Sequence, residues 1–259
     1  MDSMSDNNPF DIGGLVFPIV SGTSRTDIFA VDRFIGCGFW IDSKGHFLTC
    51  KHVLDELKEG QNPAIAQPFG NETDRFIPVL ETTAHSKFDM AVGKAARSTP
   101  TKFLPPRVGN ILPGLNVSAF GFTEWGKLGQ SLNVDVRYLK GHVSRTSTEP
   151  SGLPTPHVVE VSFGSPSGFS GAPLLVDFQV VGMLYSNVES KLQGYSISEV
   201  QDGGNVFRET AYRIYEYGLS HRIADLTSFL ESCGITMRQT ILVDSISGFA
   251  KHVTTVLNL

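Results

Sequence analysis

Hydrophobic positions along this chain gather into short β-rich runs broken by turn residues, and one stretch near the end repeats with the period of a helix. Residues 34–49, FIGCGFWIDSKGHFLT, read as a hairpin in which two such runs are joined by the polar turn Asp42, Ser43, Lys44 and Gly45. Further runs occupy 76–80, 90–92, 117–122, 134–139, 157–163 and 173–185, the last with a turn near Asp177. Short strands separated by Gly, Pro and Asn predict an all-β barrel or sandwich. Residues 95–114 are rich in Pro and Gly and divide the strand-bearing chain into two halves of similar size, as a linker would. Ile223, Leu226, Phe229 and Leu230 share one helical face, with Ser220 placed to cap its start and Gly234 to end it.

Composition narrows the class. The chain has 259 residues, 41% of them hydrophobic and 18% charged, which suits an ordinary globular protein of one domain or a pair of barrels. A formal charge of -5 argues against a nucleic-acid surface, which needs a basic patch, so a peptide or protein partner fits better. The acidic, polar start MDSMSDNNPFDIGG lacks the features of a secretory signal, and no apolar stretch is long enough to span a membrane. Cys37, Cys50 and Cys233 are odd in number and far apart, which favours a reducing compartment and the cytoplasm. In that setting the sequons at Asn71 and Asn116 carry no weight. The 7 histidines do not cluster with cysteines or carboxylates at ligand spacing, and no phosphate loop or dinucleotide fingerprint occurs, so neither a metal nor a cofactor is expected.

Three segments offer the parts of a serine nucleophile. A hydroxyl needs a base to take its proton and donors to stabilise the oxyanion that forms. SPSGFSGAPLL sets Ser170 between Gly168 and Gly171, where a sharp turn can aim the N–H groups of Gly168 and Ser170 at one point. LTCKHVLDEL puts His52 where a strand gives way to a short helical segment, and HSKFDMAVGKA puts Asp89 at the start of an apolar alternation. Taken singly, each has an ordinary structural explanation: a Gly-rich hairpin turn, a surface histidine, a turn aspartate. Their joint order and contexts carry the case.

In that order the segments resemble the trypsin-like serine peptidases: GCGFWIDSKGHFLTCKHV is similar to the family's histidine segment, FDMAV to its aspartate segment and GFSGAP to its nucleophile segment. VSAFGF, KGHVSR and VVGMLYS also resemble strands of the HtrA/Deg branch, and the resemblance runs from about residue 14 to 230. It implies two six-stranded antiparallel β-barrels with the active site in the cleft between them, followed by a C-terminal α-helix. The expected layout is a tail over 1–13 and a peptidase domain over 14–234. Within that domain come a first barrel to about 95, a linker over 96–114, a second barrel over 115–219 and a helix over 221–232, with a second tail over 235–259. The resemblance implies His52 as base, Asp89 as its orienting carboxylate, Ser170 as nucleophile and the Gly168 and Ser170 N–H groups as oxyanion hole. It also implies a specificity pocket near Gly164, Ser165, Tyr185, Ser186, Asn187 and Gly218. None of these is acidic, so an uncharged residue is expected before the scissile bond.

Two departures stand out. Digestive members carry an aspartate before the nucleophile that pairs with a newly cut N-terminus; here that position is Phe169, so the loop over 164–169 must be ordered by its own packing or by a substrate or partner. The insertion over 188–210 is longer than a connection needs and is expected to form a lid or partner surface. The function expected is limited, regulated proteolysis of a protein substrate through an acyl-enzyme, under the control of a regulatory protein partner or narrow specificity. The alternatives are an inactive trypsin-like fold serving as a peptide-binding or scaffold module, and an α/β-hydrolase. The latter is disfavoured because its elbow reads GxSxG and position 172 is alanine.

Overall fold

The computed structural model describes residues 14–25, 28–67, 76–96, 103–128, 131–147, 157–200, 206–237, 240–243 and 251–254. The expected tail over 1–13 and the sequon at Asn71 lie outside them. The first barrel closes from β1 (Val16–Arg25), β2 (Ile28–Trp40), β3 (His46–Thr49), β4 (Asn62–Ala66), β5 (Phe76–Ala84) and β6 (Ala91–Ala95), in the spatial order β1-β2-β3-β6-β5-β4. The second closes from β7 (Asn116–Leu128), β8 (Ser131–Ser147), β9 (Val158–Val161), β10 (Pro173–Val176), β11 (Gln179–Val200) and β12 (Val206–Arg222), in the order β10-β11-β12-β9-β8-β7. Two short helices, α1 (Lys51–Asp55) and α2 (Ile223–Ser232), and a hairpin of β13 (Thr240–Val243) and β14 (Lys251–Thr254) complete the described chain.

The hairpin predicted over 34–49 is β2 and β3. Asp42 is buried at its turn, where Oδ1 accepts the N–H groups of Lys44 and His46 at 2.8 and 3.1 Å and Oδ2 meets His46 Nδ1 at 2.6 Å. The turn near Asp177 joins β10 to β11 through two residues of positive φ, Asp177 and Phe178, which matches the strand twist of a tight hairpin. β1 and β4 were not predicted, although Val16, Ile19 and Ile65 of these strands are fully buried. Ser220 does not cap α2. It lies in β12 and its hydroxyl donates to the His221 carbonyl at 2.9 Å, while Arg222 occupies the cap position and reaches Asp225 at 3.1 Å. Strand pairing with β9 carries the backbone past Ser220 before the helix can start.

Each barrel is filled from within by alternate residues of its strands. Phe17, Trp40 and Phe47 make an aromatic group in the first, with ring centroids 4.6 to 6.0 Å apart, and Phe122, Val143, Val161, Leu174 and Met183 pack the second. The two fillings form one continuous core. Residues 97–102 of the predicted linker lie outside the described residues. From Leu104 onward it is fastened to both barrels: Leu104 N–H donates to Trp40 O at 3.1 Å, and Val180 exchanges backbone hydrogen bonds with Pro105 and Arg107.

Phe47 is fully buried and sits edge-on to both Phe17 and Trp40. Phe47→Ala should therefore lower unfolding free energy by about 3–5 kcal/mol in a urea titration, with the slope unchanged.

Candidate active site

Three of the singled-out side chains meet where the barrels face each other. His52 stands on the first turn of α1, directly after β3, and Asp89 precedes β6, the strand paired with β3, so barrel closure brings them together. Asp89 Oδ2 accepts from His52 Nδ1 at 2.6 Å and Oδ1 from the His52 backbone N–H at 2.9 Å. With both carboxylate oxygens engaged, the imidazole plane is set and Nε2 is left for the cleft. Ser170 comes from the opposite barrel, on the turn before β10, and lines the same cleft of about 490 Å³. Among the described residues no hydrogen bond joins Ser170 to the His52 ring. Such contacts are often long without substrate and shorten in the complex.

The charges follow from this geometry. The hydrogen bond to Asp89 raises the His52 pKa above its ordinary 6.5, opposed by burial and reinforced by the charges of Asp89, Glu56 and Asp55. Burial is the largest influence on Asp89 and pushes its carboxyl up, yet the ring and backbone hydrogen bonds from His52 together win and leave it below the usual range. The Asp89 anion thus favours the charged form of the imidazole, the form a proton taken up at Nε2 would create.

The Ser170 turn is fastened from beneath. Phe169 is completely buried, its ring lies over Gly121, and its N–H donates to Pro166 O at 3.0 Å. Gly168 and Gly171 have φ of 95° and 88°, and a side chain on either would strike Phe34 or the Cys37 carbonyl respectively. Cys37 on β2 reaches across the seam: its N–H donates to Ser170 O at 2.8 Å and its thiol to Gly168 O at 3.1 Å. Its sulfur also accepts the Phe122 N–H at 3.3 Å. The Cys50 thiol makes a second crossing, to Leu184 O at 3.3 Å. Burial pushes the Cys37 thiol up to about 12 and the Cys50 thiol well above 9.0, so both are inert thiols. Cys50 Sγ, His52 and Asp89 place donor atoms within 4.8 Å of one another, but a thiol held protonated is a poor metal ligand. Among the described residues the Gly168 and Ser170 N–H groups donate to no protein acceptor.

Of the positions assigned to the specificity pocket, Ser165, Ser186 and Asn187 line the cleft, while Gly164, Tyr185 and Gly218 do not. A register shift between Leu184 and Ser186 leaves Tyr185 as the extra residue of a bulge, and its ring stacks on His221 at 4.3 Å. Gly218 is buried and donates to Phe163 O at 2.7 Å. The Asn187 amide brackets Ser165, accepting its N–H and donating to its carbonyl, both at 2.7 Å, which ties the loop over 164–169 to β11. Glu216 of β12, paired with Glu189 of β11, packs against Gly164, next to Ser165 of the cleft lining.

Nothing in the sequence gives His221 a place beside Asp89. It is 1% exposed, and its Nε2 N–H donates to the Asp89 carbonyl at 3.0 Å, 132 residues away in the chain. Only strand pairing in the second barrel brings it there, so no local signal announces it.

Two closed antiparallel barrels with serine on one, histidine and aspartate on the other and a cleft between define the class of trypsin-like serine endopeptidases. The chain belongs to that family: the model described as "Trypsin-like peptidase domain" matches residues 36–183. Solved structures share the fold at low identity. The Rv3671c protease from M. tuberculosis, active form, is 18% identical with a TM-score of 0.55, over 89% of this chain and 86% of that one. A serine endoprotease from Yersinia pestis is 17% identical with a TM-score of 0.56, over 90% and 67%. The HtrA-type protease AlgW with a decapeptide is 15% identical with a TM-score of 0.55, over 92% and 71%. No curated protein matches the chain.

Burial lowers the His221 pKa to about 4, so the folded protein resists a proton that the unfolded chain accepts near 6.5. The unfolded state binds more protons between these values, and stability is lost as pH falls through that window. His221→Gln, which retains an N–H donor for Asp89, should recover roughly 2–3 kcal/mol of stability at pH 4 relative to pH 7. Denaturant titrations at the two pH values measure it.

Proposed function

We propose that this chain cleaves peptide bonds with Ser170 as nucleophile, His52 as general base and Asp89 as the anchor of the imidazole. The observation that carries this is the double hydrogen bond from His52 to Asp89, which fixes the tautomer with Nε2 free toward the cleft that Ser170 lines. In the first step His52 Nε2 takes the Ser170 proton as Oγ bonds to the scissile carbonyl carbon. The resulting oxyanion is met by the Gly168 and Ser170 N–H groups, and the imidazolium by the Asp89 charge. The same proton passes to the amine as the C–N bond breaks, leaving an acyl-enzyme that water hydrolyses by the reverse sequence. Asp89 remains ionised throughout.

Burial of Phe169 supports a nucleophile turn that is ordered at rest, without a new N-terminus to pair with an aspartate. Restraint would then come from narrow specificity or a regulatory protein partner, which is the basis for proposing limited proteolysis of a protein or peptide substrate. Free Cys37, Cys50 and Cys233 support a reducing site of action such as the cytoplasm. Among the described residues Ser170 and His52 share no hydrogen bond, which leaves a second reading, a peptide-binding module on the same fold.

A fluorophosphonate probe separates the two. Wild type should label and Ser170→Ala should not; a folded wild type that stays unlabelled favours the binding module. Because His52 must be neutral to act and its pKa is raised, the acid limb of kcat/KM should lie above pH 6.5, with activity falling as pH drops through it. Asp89→Asn should move that limb down and lower turnover by about 10^4, read from a pH series with a peptide reporter.

A further inference from the structure

The chemistry of the cleft gives a bound peptide its direction. Its scissile carbonyl oxygen must meet the Gly168 and Ser170 N–H groups, and its leaving amine must face His52 Nε2, which hands it the proton. His52 belongs to the first barrel, as do three other residues of the cleft lining: Phe34 and Ile35 of β2, and Glu56, one turn along from His52 with its N–H on His52 O at 3.1 Å. The part of a substrate that leaves with the amine therefore passes over these residues. Ser165, Ser186 and Asn187, which belong to the second barrel, are left to the part that stays on Ser170.

Glu124 joins the first group from across the seam. β7 turns Phe120 and Phe122 inward, both buried and edge to face with ring centroids 5.9 Å apart, and Glu124 is the next residue on that face. The filling of the barrel ends there, so an exposed carboxylate at the cleft takes the place that follows two core phenyl rings. A side chain on Gly168 would strike the Phe34 ring and the Phe122 carbonyl together, which sets this stretch of β7 beside β2. No lysine or arginine lines the cleft. Glu56 is already matched, because Arg33 pairs with its carboxylate at 3.0 Å and also donates to its backbone carbonyl. Arg137 of the neighbouring β8 gives its Nε–H to Thr123 Oγ1 at 3.0 Å, on the opposite face of β7 from Glu124. Among the described residues no cation pairs with Glu124.

We propose that Glu124 selects substrates with lysine or arginine among the first two residues after the scissile bond. The aliphatic stem would lie on Phe34 and Ile35 and the charged head would meet the Glu124 carboxylate, the division of surface that these two side chains need. Neighbouring side chains of an extended peptide point to opposite sides, so one of those two positions faces this wall. A leucine there would use the apolar surface and leave the carboxylate unmatched; a glutamate would be repelled. The formal charge of -5 acts in the same direction, since it draws cationic segments toward the protein. Because Glu124 is exposed, water and salt screen it and limit the preference to about tenfold. The substrate class is a polypeptide with an uncharged residue before the cleaved bond and a basic one directly after it. This rests on reading the cleft as that of a peptidase.

Internally quenched peptides test it. They share one uncharged sequence before the cleaved bond and carry Lys, Arg, Leu or Glu at the first or the second position after it. At one of these positions kcat/KM should be about tenfold higher with Lys or Arg than with Leu, and lower still with Glu. Glu124→Gln should remove the advantage, and Glu124→Lys should transfer it to the Glu peptide. Both changes fall on an exposed side chain, and fluorophosphonate labelling counts the competent sites in each variant. Glu189→Gln, on the exposed arm that β11 and β12 form beyond the cleft, should keep the advantage. In wild type the advantage should fade at about 1 M salt. Equal kcat/KM for all four residues at both positions, or a basic preference that survives Glu124→Gln, overturns the proposal while labelling upholds the peptidase reading. Wild type that neither labels nor cleaves strikes the peptidase reading instead, and anisotropy with the same peptides then decides the selectivity. Lys and Arg peptides that bind no more tightly than the Leu peptide, or equally well to Glu124→Gln, overturn it there.

Discussion

Everything in the cleft depends on how the Ser170 turn of the second barrel is fixed against the first barrel. Among the described residues the turn is tied directly by the Cys37 N–H to Ser170 O and the Cys37 thiol to Gly168 O, with the Cys50 thiol to Leu184 O crossing beside it. Each contributes on the order of 1 kcal/mol net, and thiol bonds are weaker. Burying Phe169 contributes about 2–3 kcal/mol, more than any one of them. The hydrogen bonds aim the turn, and the phenyl ring holds it down.

A ring in that place has a consequence for control. A buried ion pair needs its partner charge and loses stability when the partner is absent, whereas an apolar anchor needs only the cavity that Gly121 and its neighbours provide. The turn can then be ordered without processing, and selectivity shifts to what reaches the cleft. The Asn187 bracket on Ser165 fits that shift, because it couples the loop before Ser170 to the very strand that continues into the exposed arm. Behind Asp89, His221 supplies a donor that burial keeps neutral, so it positions the backbone of the aspartate without competing with His52 for its charge.

How much of this was legible in the sequence differs between elements. The β2 and β3 hairpin, the turn at Asp177, the short helix after Thr49 and the apolar face of α2 were readable, because each is set by alternation, turn chemistry or helical spacing within a dozen residues. β1 and β4 were missed, since strands buried within a closed barrel declare themselves through partners far along the chain. Ser220 misled for a related reason: a good cap residue was claimed by the pairing of β12 with β9.

By itself the sequence determined the residue types that can do chemistry and their local settings: Ser170 on a glycine-flanked turn, His52 at the head of a short helix, Asp89 before a strand. Local backbone preference suffices for that. Tertiary structure alone decided that Asp89 grips His52 with both oxygens, that His221 backs it, that Cys37 spans the barrels and that Glu216 packs against Gly164. It also decided that the strand bringing Ser186 and Asn187 to the cleft runs on, paired with β12, to Val200. Those relations are set by barrel closure and strand register, which depend on pairings between residues tens to more than a hundred positions apart, and no local pattern encodes them.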